Sequence, residues 1–441
     1  MKIINLKYIF LITGISLFSC EDKLNVEPTL SISEEAALKS EDNVKKLLIG
    51  VYEIAGNRDS YGGYIQLFSD LLGSENQVSW DGTFAELREA YTKKMFATNF
   101  LVGEIWNNQY KIINQSNIVL DHLSVIQDEA ERNRVEGEAL FLRSLSYFDL
   151  VRMYGSATKG VPIRAAGIND FAIDLNIARV TPAENYTRII EDLTKAISLL
   201  PDDNDFYTDK YSALALLARV NLYKGDYEGA LNASNEVIES SGKSLSASFA
   251  DAFNHDEDNE EDIFSMQVTS QSGQNQMIQM YASEGNGGRG GDVVINTEYL
   301  DLFNDANDER GQFVYTNEAG ATLSSKYTNQ FGNVPILRLA EMYLIRAEAN
   351  LNLGSEVGSA PLDDLNTIRA RSGAAPRAAA TLDAIILERQ LELAFEGFFI
   401  YDIKRTQASV QGIAFDSPSL VMPIPQSEMD TNTLMEQNEG Y

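Results

Sequence analysis

Residues 211–240 read YSALALLARVNLYKGDYEGALNASNEVIES and decide the fold. Apolar residues in the first half recur at three- and four-residue steps, which places them on one face of an α-helix; they are Ala213, Leu216, Leu217, Val220 and Tyr223. Gly225-Asp226 interrupts the pattern, and a second helical run follows with Ala230, Leu231, Val237 and Ile238. The stretch therefore predicts a helical hairpin, and its alanines allow the two helices to lie close together.

The same pattern returns along the chain. One helix is predicted from Glu136 to Tyr154, stopping at Gly155, and a second begins at Thr181-Pro182-Ala183-Glu184 and ends at Pro201. That start combines a Thr cap, a Pro in the first turn and an acid near the positive end of the helix. A third pair is predicted at Leu339 to Leu353 and Leu362 to Ala370. Such hairpins must stack to bury their faces, which predicts a mostly α, tetratricopeptide-like scaffold.

Helical periodicity fails in two regions, residues 56–100 and 243–335, where Gly, Asn and Ser are plentiful. Short strand-like pieces occur there, such as Ile263 to Val268. We therefore expect a long, irregular, loop-rich part with a few short strands beside the helical scaffold. Long loops on a rigid scaffold are where binding residues usually lie.

Composition narrows the classes of function. The chain has 441 residues, 44% of them hydrophobic, with one cysteine, two histidines and a formal net charge of −30. One cysteine excludes an intramolecular disulfide and a cysteine-based metal site, and two histidines leave little room for a zinc cage. The negative charge repels nucleic acid phosphates and favours a neutral ligand.

The first twenty residues predict the compartment. Lys2 and Lys7 precede an apolar run, Tyr8 to Phe18, which is too short to span a bilayer and has the length of a signal-peptide core. The run ends at Ser19 and the sole cysteine, Cys20, and this resembles a bacterial lipobox. The alternative is an ordinary secretory signal with a chance cysteine. We expect a signal peptide at 1–19, lipidation of Cys20, and one domain over 20–441 anchored to a membrane by lipid alone.

Other motifs lack their required context. The glycines of Gly285 to Gly290 match a dinucleotide-binding turn, but a strand-like Val293-Val294-Ile295 follows where a helix should begin. Acidic clusters at Asp256 to Asp262 and Asp305 to Glu309 lack the register of a calcium loop. We predict no cofactor and no metal. A glycosidase needs only two well-placed carboxylates, and 65 acidic residues leave such a pair possible.

Separated segments from Cys20 to the C-terminus resemble the RagB/SusD family of outer-membrane lipoproteins. The matching segments are Cys20 to Thr29, Trp106 to Asn114 with Asn117, Glu136 to Arg143 with Tyr147-Phe148, Asp149 to Gly155, Gly160 to Pro162, Arg338 to Ala349, Asn366 to Arg369, Glu388 to Gly397, Pro423 to Pro425, Glu428, Asn432 and Gln437 to Tyr441. The family usually has Pro where this chain has Glu439. These motifs belong to the scaffold, so Trp106, Glu136 and Arg143 are expected to serve packing and helix pairing.

The resemblance implies a surface protein that binds oligosaccharide or polysaccharide without catalysis. It also implies a partner, a TonB-dependent SusC-like transporter, which the helical repeats would face while the loop-rich side holds sugar. The chain is short for the family, which suggests a shallow or small site. Two alternatives remain open: a helical glycosidase or lyase that uses two carboxylates, and a helical-repeat protein that binds a peptide.

Sugar recognition requires flat aromatic surface for C–H faces and directional hydrogen bonds for hydroxyls. An exposed aromatic in an irregular loop is therefore the feature to find, although most of the 20 Tyr and 20 Phe are expected in the core. Trp80 is the first candidate, and the others come from its own loop, from the 281–292 region and from the flanks of Gly62-Gly63. The predicted ligand-binding residues are Trp80, Asp81, Asn76, Tyr281, Asn286, Arg289, Tyr61 and Tyr64.

Overall fold

The computed structural model describes residues 38–170, 172–268 and 275–441. The α-helices are α1 Glu41–Ala55, α2 Tyr64–Leu72, α3 Ala85–Thr92, α4 Phe100–Asp121, α5 Glu129–Tyr154, α6 Pro182–Leu199, α7 Lys210–Lys224, α8 Tyr227–Ser240, α9 Gln276–Tyr281, α10 Thr297–Leu300, α11 Glu309–Gln312, α12 Leu339–Leu353, α13 Pro361–Arg371, α14 Leu382–Glu392, α15 Phe399–Arg405 and α16 Gln426–Thr431. Short 3₁₀ turns lie at Leu123–Val125, Ala250–Ala252, Glu284–Asn286 and Pro418–Leu420. The strands are β1 Val78–Trp80, β2 Asp262–Met266, β3 Val293–Ile295, β4 Val314–Thr316, β5 Thr322–Ser324, β6 Val334–Arg338, β7 Ser409–Val410 and β8 Ile413–Ala414.

The predicted hairpin of residues 211–240 is confirmed as α7 and α8. Asp209 and Asp226 cap the two helices by accepting hydrogen bonds from Ser212 and Gly229 backbone N–H groups. Gly225 ends α7 with a φ of +81°, in the left-handed region where a side chain would be strained. These local signals fix the turn, so the apolar faces of both helices meet.

Helices stack in sequence order from α4 to α8, and α12 then lies against α8 and α7. Thr181 and Glu184 form a reciprocal capping box at the start of α6, as the sequence predicts. The predicted helix from Glu136 begins seven residues earlier, at Glu129, because Asp128 caps it by accepting a hydrogen bond from the Glu131 N–H. The mostly α, tetratricopeptide-like scaffold is confirmed.

Two ion pairs join α5 to α6 within this stack. Arg143 is 3% exposed and donates to Asp192 across α5 and α6. Trp106 is 2% exposed, so both residues have the packing role that the sequence predicts. Glu136 is half-buried and pairs with Lys195 across the same two helices. No helix among the described residues is long and apolar enough to span a bilayer.

The loop-rich part contains more helix than the sequence predicts. Within 56–100 it holds α2 and α3. Polar Gln66, Ser69 and Asp70 give α2 a helical period, but the helix has only nine residues and lies between Gly63 and Gly73, so it was missed in a region that is rich in glycine. Four two-stranded antiparallel sheets occur in the described ranges, pairing β1 with β3, β2 with β6, β4 with β5 and β7 with β8. The predicted strand Val293–Ile295 is confirmed as β3, and the predicted strand from Ile263 to Val268 is β2, Asp262–Met266. Residues 1–37, with the predicted signal peptide and Cys20, lie outside the described part of the chain.

Candidate functional site

The pairing of β1 with β3 brings two distant loops together. Trp80 lies opposite Val293 in the antiparallel register, and Val78 lies opposite Ile295. The ladder continues by one bond, because the Asp81 N–H donates to the Asp292 carbonyl at 2.8 Å. The loop that leaves Trp80 therefore meets the loop that precedes Val293. We call the surface they form the Arg289 patch, and its residues are Asp81, Thr83, Phe84, Arg289 and Asp292.

A guanidinium group on an aromatic ring forms the outer part of this patch. The Arg289 Cζ atom lies 4.4 Å from the centroid of the Phe84 ring, a cation–π distance. Arg289 Nη2 also lies 3.5 Å from Thr83 Oγ1, and Nε lies 3.8 Å from Asp292 Oδ2. The Arg289 side chain keeps 38% of its surface exposed. The patch thus presents hydrogen-bond donors and an apolar surface side by side.

Two buried polar atoms lie at the base of the patch without a hydrogen-bond partner among the described residues: Asp292 Oδ2 and Trp80 Nε1. Burial raises the pKa of Asp292, Arg289 opposes that rise, and the neighbouring Asp81 adds to it. Buried polar atoms in proteins are normally hydrogen-bonded, so these two atoms are unusual; the nearest charged partner of Asp292 Oδ2 is Arg289 Nε at 3.8 Å.

Trp80 forms the floor of the patch and is only 2% exposed. The expectation of an exposed Trp80 ring is therefore wrong. Strand alternation points Val78 and Trp80 to one face of the β1–β3 sheet, where both are buried beside Val293 and Ile295. The ring lies against Gly82, since a Cβ on that residue would approach Trp80 Cζ2 to 2.4 Å and the Asp292 Cγ to 2.8 Å.

The three candidate tyrosines are also buried, so the expectation that they are exposed is wrong as well. Tyr281 is fully buried against the Tyr327 and Phe395 rings, with centroids 5.3 and 5.8 Å away. Tyr61 is 2% exposed and donates to Gln109 Oε1 at 3.1 Å. Tyr64 is 6% exposed at the start of α2. Each ring completes the core in a region that the sequence suggested was irregular.

The remaining candidates are polar. Asp81 is exposed and belongs to the patch together with Arg289. Asn286 is half-buried in the 3₁₀ turn just before Arg289, where its N–H donates to Ser283 O at 3.0 Å. Asn76 is exposed at the opposite end of β1, and its Oδ1 accepts from Gln411 Nε2 at 2.8 Å. The structure thus joins Asp81 and Arg289 over Trp80 and leaves Asn76 and the tyrosines apart from them.

Sequence reasoning missed Phe84 and Thr83 and did not single out Asp292. Phe84 follows Asp81-Gly82-Thr83 at the entrance to α3, so an aromatic at a helix start after a turn was the available signal. For Asp292 the signal was its position three residues after Arg289 and one before a strand. Neither signal shows that the two segments meet, because that depends on the β1–β3 pairing.

Two family models match the chain. One, described as "Starch-binding associating with outer membrane", matches residues 22–222, and the other, described as "SusD family", matches residues 312–414. The chain belongs to the RagB/SusD family. Together the two matches cover the scaffold helices α1 to α7 and α12 to α15, along with β1 and the loop that carries Asp81 and Phe84.

Relatives in the RagB/SusD family have moderate sequence identity to this chain. The SusD-like protein P25 of Formosa agariphila is 30% identical over 60% of this chain, and the match spans about half (52%) of that relative's length. The SusD-like protein P2 of the same organism is 25% identical over 99% of both chains.

Solved structures of the family show the same fold. A SusD superfamily protein from Bacteroides thetaiotaomicron superposes with a TM-score of 0.82 at 25% identity, covering 90% of this chain and 99% of that one. A putative sugar-binding protein from Bacteroides vulgatus gives the same TM-score and identity, covering 91% of this chain and 99% of its own.

Proposed function

We propose that this protein binds a neutral oligosaccharide or polysaccharide at the Arg289 patch and does not transform it. The observation that carries the proposal is the stacked Arg289–Phe84 pair beside Asp292 Oδ2, which receives no hydrogen bond, in a chain of the RagB/SusD family. Phe84 offers apolar surface to a C–H face, Arg289 donates to hydroxyl oxygens, and Asp292 and Asp81 accept from hydroxyl hydrogens. The shallow, partly exposed patch suits a chain of sugars that enters and leaves at both ends.

The wider role follows from the family. A lipid on Cys20 would hold the protein at the outer membrane, the location that the family model's description gives. From the cell surface the protein would deliver its glycan to a TonB-dependent SusC-like transporter. The helical stack α4 to α8 would face that partner, and the Arg289 patch, built on the loop-rich part, would face the glycan.

The test uses residues 21–441, which is the mature chain without its lipid-bearing Cys20, on native gels cast with starch and a panel of other neutral and anionic polysaccharides. We expect one neutral glycan to retard the protein and to remain unshortened when its products are examined. Shortening of the glycan would overturn the non-catalytic role and favour the alternative of a glycosidase or lyase that uses two carboxylates. Retardation only by anionic polymers would overturn the neutral ligand.

Variants locate the binding to the patch. Phe84→Ala and Arg289→Ala should each require at least a tenfold higher glycan concentration to reach the same retardation as the wild-type protein. The matched control is Phe96→Ala, because Phe96 is 63% exposed and its ring is not part of the patch. Full retardation of both patch variants would refute this placement of the site, whereas equal loss in the control would show that any exposed ring matters.

A further inference from the structure

A cavity lies outside the Arg289 patch and shares none of its residues. It is a cleft of about 670 Å³ between the C-terminal end of α1, the loop from α6 to α7, and β2. Its volume lies within the roughly 300–1,000 Å³ range of small-molecule sites. Val268 and Asn275 also line the cleft, and both border residues outside the described ranges.

One wall of the cleft is aromatic. The Tyr52 and Tyr207 rings lie 4.9 Å apart between centroids, and Phe206 lies 4.5 Å from Tyr207. Tyr52 is held in place because its phenol oxygen lies 2.8 Å from Thr208 Oγ1 and accepts from the Thr208 N–H at 3.2 Å. Phe206 keeps 44% of its surface exposed. A fixed aromatic wall open to a cleft is the surface that stacks on a sugar ring.

The facing side of the cleft carries buried polar atoms that lack hydrogen bonds. Ser265 is 2% exposed, and its hydroxyl has no partner among the described residues. Asp59 is 8% exposed, and its Oδ1 lies 3.3 Å from Arg58 Nε without receiving a hydrogen bond. Unpartnered buried polar groups are rare in folded proteins and indicate a bound ligand or water. Both residues line the cleft.

The loop that presents Arg58 and Asp59 is rigid. Its backbone N–H groups at Ser60 and Gly62 both donate to the Asn57 carbonyl, at 2.9 and 3.0 Å. No side chain fits at Gly62, where a Cβ would approach the Gly56 carbonyl oxygen to 2.3 Å. The Arg58 side chain is 56% exposed, and Arg58 is one of the residues that line the cleft. A preformed site of this kind loses little entropy on binding.

We propose that this cleft is a second carbohydrate site, which holds a short neutral oligosaccharide between the Tyr52–Tyr207–Phe206 wall and the Arg58, Asp59 and Ser265 groups. The proposal rests on the proposed function for its ligand class. The cleft binds independently of the Arg289 patch, because the two sites use different elements and different side chains.

Helix α9 connects the two sites. At its start the Gln276 N–H donates to the carbonyl of Gly62, a cleft residue, at 3.3 Å, and further along the Gln279 carbonyl accepts from the Arg289 N–H at 3.1 Å. A long glycan that occupies both sites therefore gains affinity by a second, intramolecular contact. One trisaccharide molecule occupies only one site, so trisaccharide binding measures the affinity of each site separately.

The experiment is isothermal titration of residues 21–441 with maltotriose, cellotriose and laminaritriose. We expect two molecules of one trisaccharide to bind per chain. Phe206→Ala and Arg58→Ala should each abolish binding in the cleft and leave one molecule bound at the Arg289 patch. Phe84→Ala should abolish binding at the patch and leave one molecule bound in the cleft. Phe206 and Arg58 are exposed side chains, so both cleft variants should keep the wild-type thermal midpoint. Phe96→Ala is again the control and should bind two.

Each result decides between the two proposals. One molecule per chain that Phe84→Ala removes, with no effect of either cleft variant, overturns the cleft site and leaves the proposed function intact. One molecule that only the cleft variants remove keeps the cleft and refutes the patch. If the wild-type chain binds no trisaccharide, the cleft proposal fails, and gel retardation then judges the proposed function alone.

Discussion

The phenol of Tyr281 donates a 2.8 Å hydrogen bond to Asp70 Oδ2, and both groups lie beneath the loop-rich side of the molecule. The other carboxylate oxygen, Oδ1, accepts from the Gly397 N–H at 2.8 Å. Burial nevertheless raises the pKa of Asp70 to about 7, since desolvation of the charged form outweighs these two hydrogen bonds. The half-buried Asp70 carboxyl group therefore titrates near neutral pH.

This titration predicts a pH dependence of stability. The folded pKa of Asp70 lies above its unfolded value, so the folded state binds the proton more tightly, and the free energy of unfolding falls as the pH rises from about 4 to about 7. Asp70→Asn keeps both hydrogen bonds, because the amide can donate to the Tyr281 oxygen and accept from Gly397. We expect the variant to melt at a higher temperature than wild type at pH 8 and at the same temperature at pH 4.

Thermal melts followed by circular dichroism at pH 4, 6 and 8 make the measurement. Asp262 is also buried with a pKa raised to about 7, so a residual slope of the same sign should remain in Asp70→Asn. A shift in melting temperature that is equal at all three pH values would show that Asp70 does not titrate in this window.

The Arg143–Asp192 pair should dominate the attachment of α5 to α6. Arg143 Nε and Nη2 donate to the two Asp192 oxygens at 2.8 and 2.9 Å, and both side chains are buried. Arg143→Ala leaves the carboxylate buried with only Arg188 Nε, at 3.1 Å, as a cationic partner. We expect a loss of about 3–5 kcal/mol in unfolding free energy, measured by urea titration.

The neighbouring Lys195–Glu136 pair provides the control, since it joins the same two helices at the surface with the lysine side chain 56% exposed. Lys195→Ala should cost no more than about 1 kcal/mol. Equal losses in the two variants would mean that burial does not set the contribution of these pairs.

Gly82→Ala should move the Trp80 ring. A Cβ at this position would lie 2.4 Å from the ring, so the floor of the Arg289 patch has to shift. We expect a changed near-ultraviolet circular dichroism spectrum and weaker glycan retardation. Gly290→Ala is the matched control, because nothing lies within 4 Å of its Cβ. An unchanged spectrum in Gly82→Ala would contradict the close contact between Gly82 and Trp80.

The capping box at α6 should contribute a smaller amount. Thr181 Oγ1 accepts from the Glu184 N–H at 3.3 Å, and Glu184 Oε2 accepts from the Thr181 N–H at 2.8 Å. Thr181→Ala should lower the unfolding free energy by about 1 kcal/mol, whereas Thr181→Ser should retain it. Urea titration of the two variants side by side measures the difference, and equal losses would exclude a role for the hydroxyl.

The helical scaffold could be predicted because its signals are local. Leu339–Leu353 was predicted to the residue from its periodicity, and the turn at Gly225 from one glycine. The first turns of α5 could not be predicted, because Glu129 to Arg134 are mainly charged and show no apolar face. A local pattern indicates a helix where apolar residues recur at helical spacing, as they do in α12, and the charged first turns of α5 lack them.

The candidate site could be predicted only in part. Asp81 and Arg289 were both named, since polar groups in irregular loops are readable from sequence. The burial of Trp80 could not be predicted, because it depends on which distant strand pairs with β1. No property of residues 76–82 indicates that this strand is β3. Phe84 and Asp292 were missed as patch residues for the same reason.

The β1–β3 ladder also sets an order of assembly. Val78 pairs with Ile295, so about half of the chain separates two strands that make a three-residue sheet. Closing so long a loop has a large entropic cost, and the few hydrogen bonds of this sheet cannot offset it alone. The sheet therefore forms only after the helical hairpins between β1 and β3 have docked. We therefore expect the helices to form first and the Trp80 floor to become ordered last during refolding. A chain interrupted before Ile295 would carry α1 to α8 and have no completed patch, so the glycan affinity that we propose for the patch would be acquired only when folding is finished.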